Sequence, residues 1–471
     1  MKTIDKIYIN GAFITPQGTD TFELISPTTN MVIGKVRLGN EEDTRNAIAA
    51  AKAALPAFSK TSKEERIQYL RQLQEAVAKK KEEMIKVMIA EYGGTLQFSR
   101  ISIQFAIGNF SEAIKTLQDF EFERIVGSSK VRLEPVGVAG VITPWNANIG
   151  FITGKLATAI AAGVTTVIKP SEMSALQTQV LLEALHEAGL PAGVFNIVNG
   201  LGHVVGAELT RHPDIAKISF TGSTVTGKTI ARGAVDTMKR VTLELGGKSP
   251  NILLDDADLT KAIPLAVAAA YTNSGQACIA ATRLLVPEKL LNEVKTLVKT
   301  TVEQLKVGDP AQEDTVVGPM VSKKQWERVQ SYIKLGLEEG AELLVGGVGQ
   351  PAGLEAGNFV KPTVFVNVRN DMRIAREEIF GPVLSIISYK NEEEALQIAN
   401  DTDYGLSGYV SSGSEERALK IAAQINAGRV MVNGFKHDPQ APFGGFKQSG
   451  IGREFGVYGL QTFLEPKTIL L

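Results

Sequence analysis

The chain of 471 residues contains a single cysteine, Cys278, in the run Tyr271-Thr272-Asn273-Ser274-Gly275-Gln276-Ala277-Cys278. Upstream by 34 residues stands Glu244, in Leu243-Glu244-Leu245-Gly246-Gly247-Lys248. A thiolate adds to a carbonyl, and a nearby carboxylate can activate the water that hydrolyses the resulting thioester. A thiol and a carboxylate framed by glycines therefore point to covalent catalysis. The plainer reading stands beside it: a lone cysteine is most often a small buried hydrophobe, and Glu244 could be a solvated glutamate at a strand end.

Two glycine-bearing junctions offer a second kind of chemistry, because a strand that ends in glycine before a helix presents free backbone N–H groups to a phosphate. Asn199-Gly200-Leu201-Gly202-His203-Val204-Val205-Gly206 follows an apolar run, but its spacing departs from the dinucleotide fingerprint. Gly222-Ser223-Thr224-Val225-Thr226-Gly227-Lys228-Thr229 matches the phosphate-loop pattern of nucleotide hydrolases, and Ile252-Leu253-Leu254-Asp255 downstream resembles its magnesium-binding strand. A phosphoryl-transfer enzyme using Lys228, Thr229 and Asp255 is thus the alternative from another class.

The elements that must position these residues follow from the apolar pattern. A helical stretch runs from Asn40 to Tyr92, rich in Ala, Glu, Lys and Leu at helical spacing. Beyond Val131, short apolar runs at Val136–Ile142, Thr165–Ile168, Val194–Val198 and Ile215–Phe220 alternate with helical segments such as Ala175–Ala188. The alternation resumes with Thr282–Val286, Leu290–Leu305, Lys323–Glu339 and Val383–Tyr389. Strands alternating with helices predict an α/β fold with two mostly parallel sheets. The glycine-rich segment Val345–Asn358 reads as an exposed loop.

Composition narrows the class further. With 44% hydrophobic and 21% charged residues, the chain has the make-up of an ordinary globular protein, and collagen-like or disordered readings fail. Fifty Lys+Arg against 51 Asp+Glu leave no global field for nucleic acid or an anionic membrane. The amino terminus lacks the apolar core of a signal peptide, and one cysteine fits a reducing compartment, so a cytoplasmic location is expected. Leu156–Ile168 is too short to span a bilayer and reads as a buried helix running into a strand. His186, His203, His212 and His437 have no zinc spacing, so no metal is expected.

The full set of motifs, in order, resembles the aldehyde dehydrogenase superfamily across nearly the whole chain. The carriers are Pro144-Trp145-Asn146, Lys169-Pro170-Ser171-Glu172, Phe220-Thr221-Gly222-Ser223-Thr224, Leu243 to Lys248, Gly275-Gln276-Ala277-Cys278, Glu377-Glu378-Ile379-Phe380-Gly381-Pro382 and Pro442 to Gly450. The resemblance implies that Cys278 is the nucleophile, that the Asn146 amide and the Cys278 N–H hold the oxyanion, and that Glu244 activates the hydrolytic water, which separates this chain from members that acylate coenzyme A. It implies a Gly-Ser-Thr turn for the pyrophosphate in place of a phosphate loop. Lys169 and Glu172 fall at the adenosine ribose, Ser223 at the pyrophosphate, and Glu378 with Phe380 near the nicotinamide ribose, with Trp145 as a further cofactor-binding residue. A charge on Glu172 would repel the extra phosphate of NADP by up to ~4 kcal/mol at about 4 Å and an effective dielectric near 20, so NAD is the expected cofactor and NADP the less favoured one.

The same resemblance implies a proton relay through Lys155 and Glu465, with a structural ion pair as the plainer alternative, and a substrate pocket near Phe151 and His437. Where many members carry aromatics, this chain has Ala147 and Gly154, which predicts a less aromatic and more polar mouth. Residues 1–117 and 136–243 would form a dinucleotide-binding domain and 244–452 a catalytic domain. Residues 118–135 and 453–471 would form an oligomerisation element of a homodimer or homotetramer.

Overall fold

The computed structural model describes residues 2–470. Its larger sheet places Gly450–Ile451, Arg240–Glu244, Ile215–Thr221, Val138–Ile142, Thr166–Lys169, Phe195–Ile197, Ile7–Ile9 and Ala12–Ile14 side by side in that order. The strands from Arg240–Glu244 to Phe195–Ile197 are parallel, and antiparallel neighbours close both ends. Val138–Ile142 and Thr166–Lys169 are buried along their whole length, as central strands of a parallel sheet must be.

The second sheet runs Glu342–Val345, Thr363–Val366, Val383–Tyr389, Arg283–Pro287, Pro250–Leu253, Ser407–Ser411, Arg429–Val432. It is parallel except at the Glu342–Val345 edge. A smaller antiparallel sheet joins Glu123–Val126, Ser129–Pro135 and Leu464–Leu470, drawing the segment near residue 120 and the carboxyl-terminal strand together. A fourth sheet, of Lys2–Ile4, Val32–Arg37 and Thr21–Ile25, combines a parallel with an antiparallel pair. Among the described residues no helix is long and apolar enough to cross a membrane.

The helical stretch expected as one run from Asn40 to Tyr92 is three helices, Glu41–Phe58, Lys63–Lys79 and Lys81–Tyr92, and a fourth, Leu96–Asp119, follows. The breaks have local causes. Ser62 accepts from the Glu65 N–H while the Glu65 carboxylate accepts from the Ser62 N–H, a capping box that restarts the chain as a new helix. Leu156–Ile168 divides as expected into a buried helix, Asn148–Ala162, and a strand, Thr166–Lys169, with Gly163 turning between them at φ +77°.

Strand register then fixes where chemistry can occur. Ile142 pairs with Lys169, and Thr221 with Glu244, so the carboxyl ends of neighbouring strands form one rim of the first sheet. Ligands of open parallel sheets bind outside such a rim. From Glu244 the chain crosses within six residues to Pro250, at the amino end of a strand of the second sheet. The amino ends of Arg283–Pro287, Val383–Tyr389 and Arg429–Val432 are therefore brought toward the same space.

Candidate active site

Cys278 lies in the turn before Arg283–Pro287, behind a 3-10 segment Thr272–Gly275 in which Asn273, Ser274 and Gly275 all have positive φ. That backbone is costly for Asn273 and Ser274 and is held by side chains from elsewhere. Tyr92 donates from its hydroxyl to Asn273 Oδ1 (2.8 Å), Asn273 Nδ2 donates to the carbonyls of Asn146 (3.2 Å) and Gln276 (3.1 Å), and Gln276 Oε1 accepts from the Val321 N–H (3.0 Å). A side chain at Gly275 would collide with the Gly381 carbonyl, and one at Gly247 would lie 2.6 Å from the Cys278 oxygen. Asn146, buried in the turn after Val138–Ile142, donates from Nδ2 to the Gln276 carbonyl (2.9 Å), which leaves its second amide hydrogen for another acceptor. Burial pushes the Cys278 thiol up to about 12, with help from the charges of Glu378 and Glu244, while Arg429 opposes the shift.

Glu244 is 3% exposed, and neither carboxylate oxygen has a hydrogen-bond partner. A solvated strand-end glutamate is excluded. Burial and the neighbouring Glu454 hold its pKa well above the ordinary carboxylate value, against Lys155, Arg453 and Arg429. An unpaired buried carboxylate is a costly arrangement outside a functional site.

The expected pairing of Lys155 with Glu465 is not what the fold makes. Lys155, 3% exposed, pairs with Glu454 and donates to Ser219 Oγ (3.1 Å). Glu465 sits on the strand Leu464–Leu470 and pairs with Arg240 (2.5 Å). The two glutamates flank the short helix Gly456–Gln461, and the fold turns the first toward Lys155.

Cys278, Asn146, Trp145, Glu244, Ser223, Glu378, Phe380 and Phe151 share one cavity of about 600 Å³. Trp145 meets the Phe380 ring edge-to-face (centroids 5.4 Å apart), and Phe380 is held at φ +62° with its carbonyl accepting from Gln325 Nε2 (2.8 Å). Glu378 accepts from the Gly247 N–H (3.1 Å) and is pushed up to about 7 by burial. Lys169 and Glu172 lie outside this lining and form an ion pair at 2.9 Å. Ser223 caps the helix Thr224–Val235, and the Thr221 and Thr224 hydroxyls nearby are buried without partners. Unsatisfied donors beside a helix N-terminus at the sheet rim suit the pyrophosphate of a dinucleotide.

The phosphate-loop alternative fails here. Only Gly222 and Ser223 separate the strand Ile215–Thr221 from the helix, too few to wrap a phosphate, and Lys228 is an exposed helical side chain bonded to Gln448 Oε1 (2.7 Å). Asp255 lies beyond a strand of the other sheet, in ion pairs with Lys289 (2.6 Å) and Arg417 (2.7 Å). The Asn199–Gly206 junction leads into a wide helical turn, Gly202–Gly206, and a side chain at Gly200 would strike Val205.

Aromatic rings gather next to Gly154, whose added side chain would touch the Phe455 ring. His437 lies against Phe105 (5.2 Å) and Phe455 (5.5 Å), Phe443 packs on Phe455 (5.8 Å), and Tyr409 stacks on Phe435 (5.9 Å). Sequence reading also missed Arg429, which donates from Nε to Ser407 Oγ (3.1 Å), contacts His437 Nδ1 through Nη1 (3.1 Å) and lies 4.8 Å from the centre of the Phe443 ring. Neither Arg429 nor Glu454 sits in a run whose spacing announces a role; only three-dimensional contact reveals them.

The aldehyde dehydrogenase family model matches residues 13–469. The chain is 47% identical to the 3-succinoylsemialdehyde-pyridine dehydrogenase of a Pseudomonas species, over 100% of this chain and 99% of that protein. Among solved structures, aldehyde dehydrogenase C of Pseudomonas syringae, a cysteine-to-alanine mutant in complex with NAD+ and octanal, superposes with a TM-score of 0.98 at 44% identity, covering 99% of this chain and 96% of that one. A betaine aldehyde dehydrogenase of Staphylococcus aureus in complex with NAD+ superposes at 0.96, with 35% identity and 99% and 94% coverage. The chain belongs to the aldehyde dehydrogenase family.

Proposed function

We propose that this enzyme oxidises an aldehyde to the carboxylic acid with NAD, using Cys278 as nucleophile. The observation that carries the reading is the convergence of Cys278, Asn146 and an unpartnered Glu244 on one cavity. The thiolate adds to the aldehyde carbon, and the resulting oxyanion takes the free Asn146 amide hydrogen and the Cys278 N–H. Losing one such donor typically costs about 3–4 kcal/mol of transition-state stabilisation. When bound, the oxidised nicotinamide accepts hydride, which turns the cysteine adduct into a thioester. Glu244 then takes a proton from water as that water attacks the thioester, and the acid leaves. Its raised pKa suits a general base working near neutrality.

For the cofactor, Trp145, Ser223, Glu378 and Phe380 would hold the nicotinamide and pyrophosphate portions, with Lys169 and Glu172 at the adenosine ribose. NAD+ in the related P. syringae and S. aureus structures supports this reading. Glu172 disfavours an added phosphate, and Lys169, already paired with it, offsets part of that repulsion. Lys155 and Glu454 supply a buried route by which the proton taken by Glu244 can leave. The substrate is an organic aldehyde, a reading supported by the octanal bound in the P. syringae structure. Assembly as a homodimer or homotetramer would use the open edges of the sheet containing Glu123–Val126 and Leu464–Leu470, where Ile125, Val126, Ile469 and Leu470 are exposed. The cytoplasm is the expected compartment.

The test is a panel of aliphatic, aromatic, amino and acidic aldehydes with NAD or NADP, following reduced nicotinamide, with Cys278→Ser as control. Turnover that is lost in the control and favours NAD supports the reading. Equal efficiency with both cofactors contradicts the NAD preference, and undiminished turnover in the control contradicts the role of Cys278.

A further inference from the structure

Arg429 opens the strand Arg429–Val432 and is half-buried, so burial lowers its pKa while its charge acts on Cys278 and Glu244. Its only side-chain hydrogen bonds among the described residues go to neutral groups, Ser407 Oγ and His437 Nδ1. Guanidinium has no acceptor, so His437 Nδ1 must accept, which places the ring hydrogen on Nε2. Packing against Phe105 and Phe455, together with the adjacent guanidinium, pushes His437 down to about 4 although the residue as a whole is exposed. At neutral pH the pair is one cation and one neutral donor, set in an aromatic wall of Phe105, Phe443 and Phe455. None of these residues lines the cavity shared by Trp145 and Glu378.

A guanidinium partly withdrawn from water and left without a carboxylate is a receptor for one. Resting on the oxidation of an aldehyde at Cys278, we infer that Arg429 determines specificity by binding a carbonyl-type oxygen, a carboxylate or a ketone, at the far end of a short aldehyde, with the His437 Nε2–H as second donor. The carboxylate is the stronger ligand because its charge is opposite and its two oxygens match the guanidinium fork. The reach is short: Gly428, next to Arg429, packs on the Gly444 carbonyl, and Gly444 in turn packs on the Glu244 carboxylate, which shares the cavity with Cys278.

The experiment compares kcat/KM for 4-oxobutanoate, 4-oxopentanal and pentanal in the wild type, Arg429→Met and Arg429→Lys. The expected order in the wild type is carboxylate, then ketone, then plain alkyl, with at least a tenfold span. The span should collapse to about one in Arg429→Met and be partly restored in Arg429→Lys. A wild type that prefers pentanal, or an Arg429→Met protein that loses all three substrates in proportion, would overturn the inference and make Arg429 a residue acting on the thiol. Calorimetry of butanoate against butanamide on the Cys278→Ser protein reads the same site without turnover. Butanoate should bind at least tenfold more tightly, and that advantage should vanish in the Cys278→Ser, Arg429→Met double variant; equal binding would refute the inference. Failure of the aldehyde panel with retained butanoate selectivity would instead indict the oxidation reading alone.

Discussion

On the cavity side of Cys278 the main chain sets the shape: Gly246 leaves room for the Glu378 carboxylate, Gly247 for the Cys278 carbonyl and Gly275 for the Gly381 carbonyl. On the Phe443 side the shape is made by side chains, Phe105 from the helix Leu96–Asp119 and Arg429, His437, Phe443 and Phe455 from the stretch 429–455. A wall made of backbone cannot be recut without moving the thiol, whereas a wall made of side chains can be altered one residue at a time. The first arrangement suits the steps common to every aldehyde, and the second suits the choice among aldehydes.

The largest effect expected below loss of the nucleophile is at Asn146. Asn146→Ala should lower kcat roughly 10²–10³-fold on every aldehyde, read by steady-state kinetics, because the oxyanion loses a fixed donor. Gly247→Ala sharpens the comparison: its Cβ would sit 2.6 Å from the Cys278 carbonyl oxygen, and the displaced thiol should cost about 10²-fold in kcat without reordering substrates. A change in substrate order there would break the proposed division of labour. Phe105→Ala is the counterpart, expected to raise KM for apolar aldehydes roughly tenfold and leave acidic ones less affected.

Glu454→Gln, read in the pH profile rather than in the rate at one pH, should give the clearest sign. Glu454 raises the pKa of Glu244, so removing its charge lowers that pKa. Glu244 is a base only when ionised, and the rising limb of kcat against pH should therefore move to lower pH. A limb that stays in place, or moves upward, would separate Glu454 from Glu244.

These contrasts also explain what could be read before the fold was known. Cys278, Asn146 and Glu244 each lie in a short segment whose glycines or turn residues are needed for backbone reasons, so local sequence carries the signal. Alternating apolar runs marked the strands that form the two parallel sheets. The break between Phe58 and Lys63 was present as a capping box at Ser62 and Glu65 but was masked by continuous helix-favouring composition. The partner of Lys155 was not legible, because Glu454 and Glu465 stand on either side of one short helix and only its packing selects between them. The Phe105–His437 contact joins a helix-borne and a loop-borne residue separated by most of the chain, which no local pattern reveals.

The central claim, a thioester on Cys278 hydrolysed by a Glu244-activated water, is tested most directly in Glu244→Gln by rapid mixing with NAD and a good aldehyde, with mass measurement of the quenched protein. One reduced nicotinamide per site should form in a burst, followed by slow turnover, and the acyl mass should be found on Cys278. Fast turnover without a burst, or a burst with no acyl group on Cys278, would contradict it.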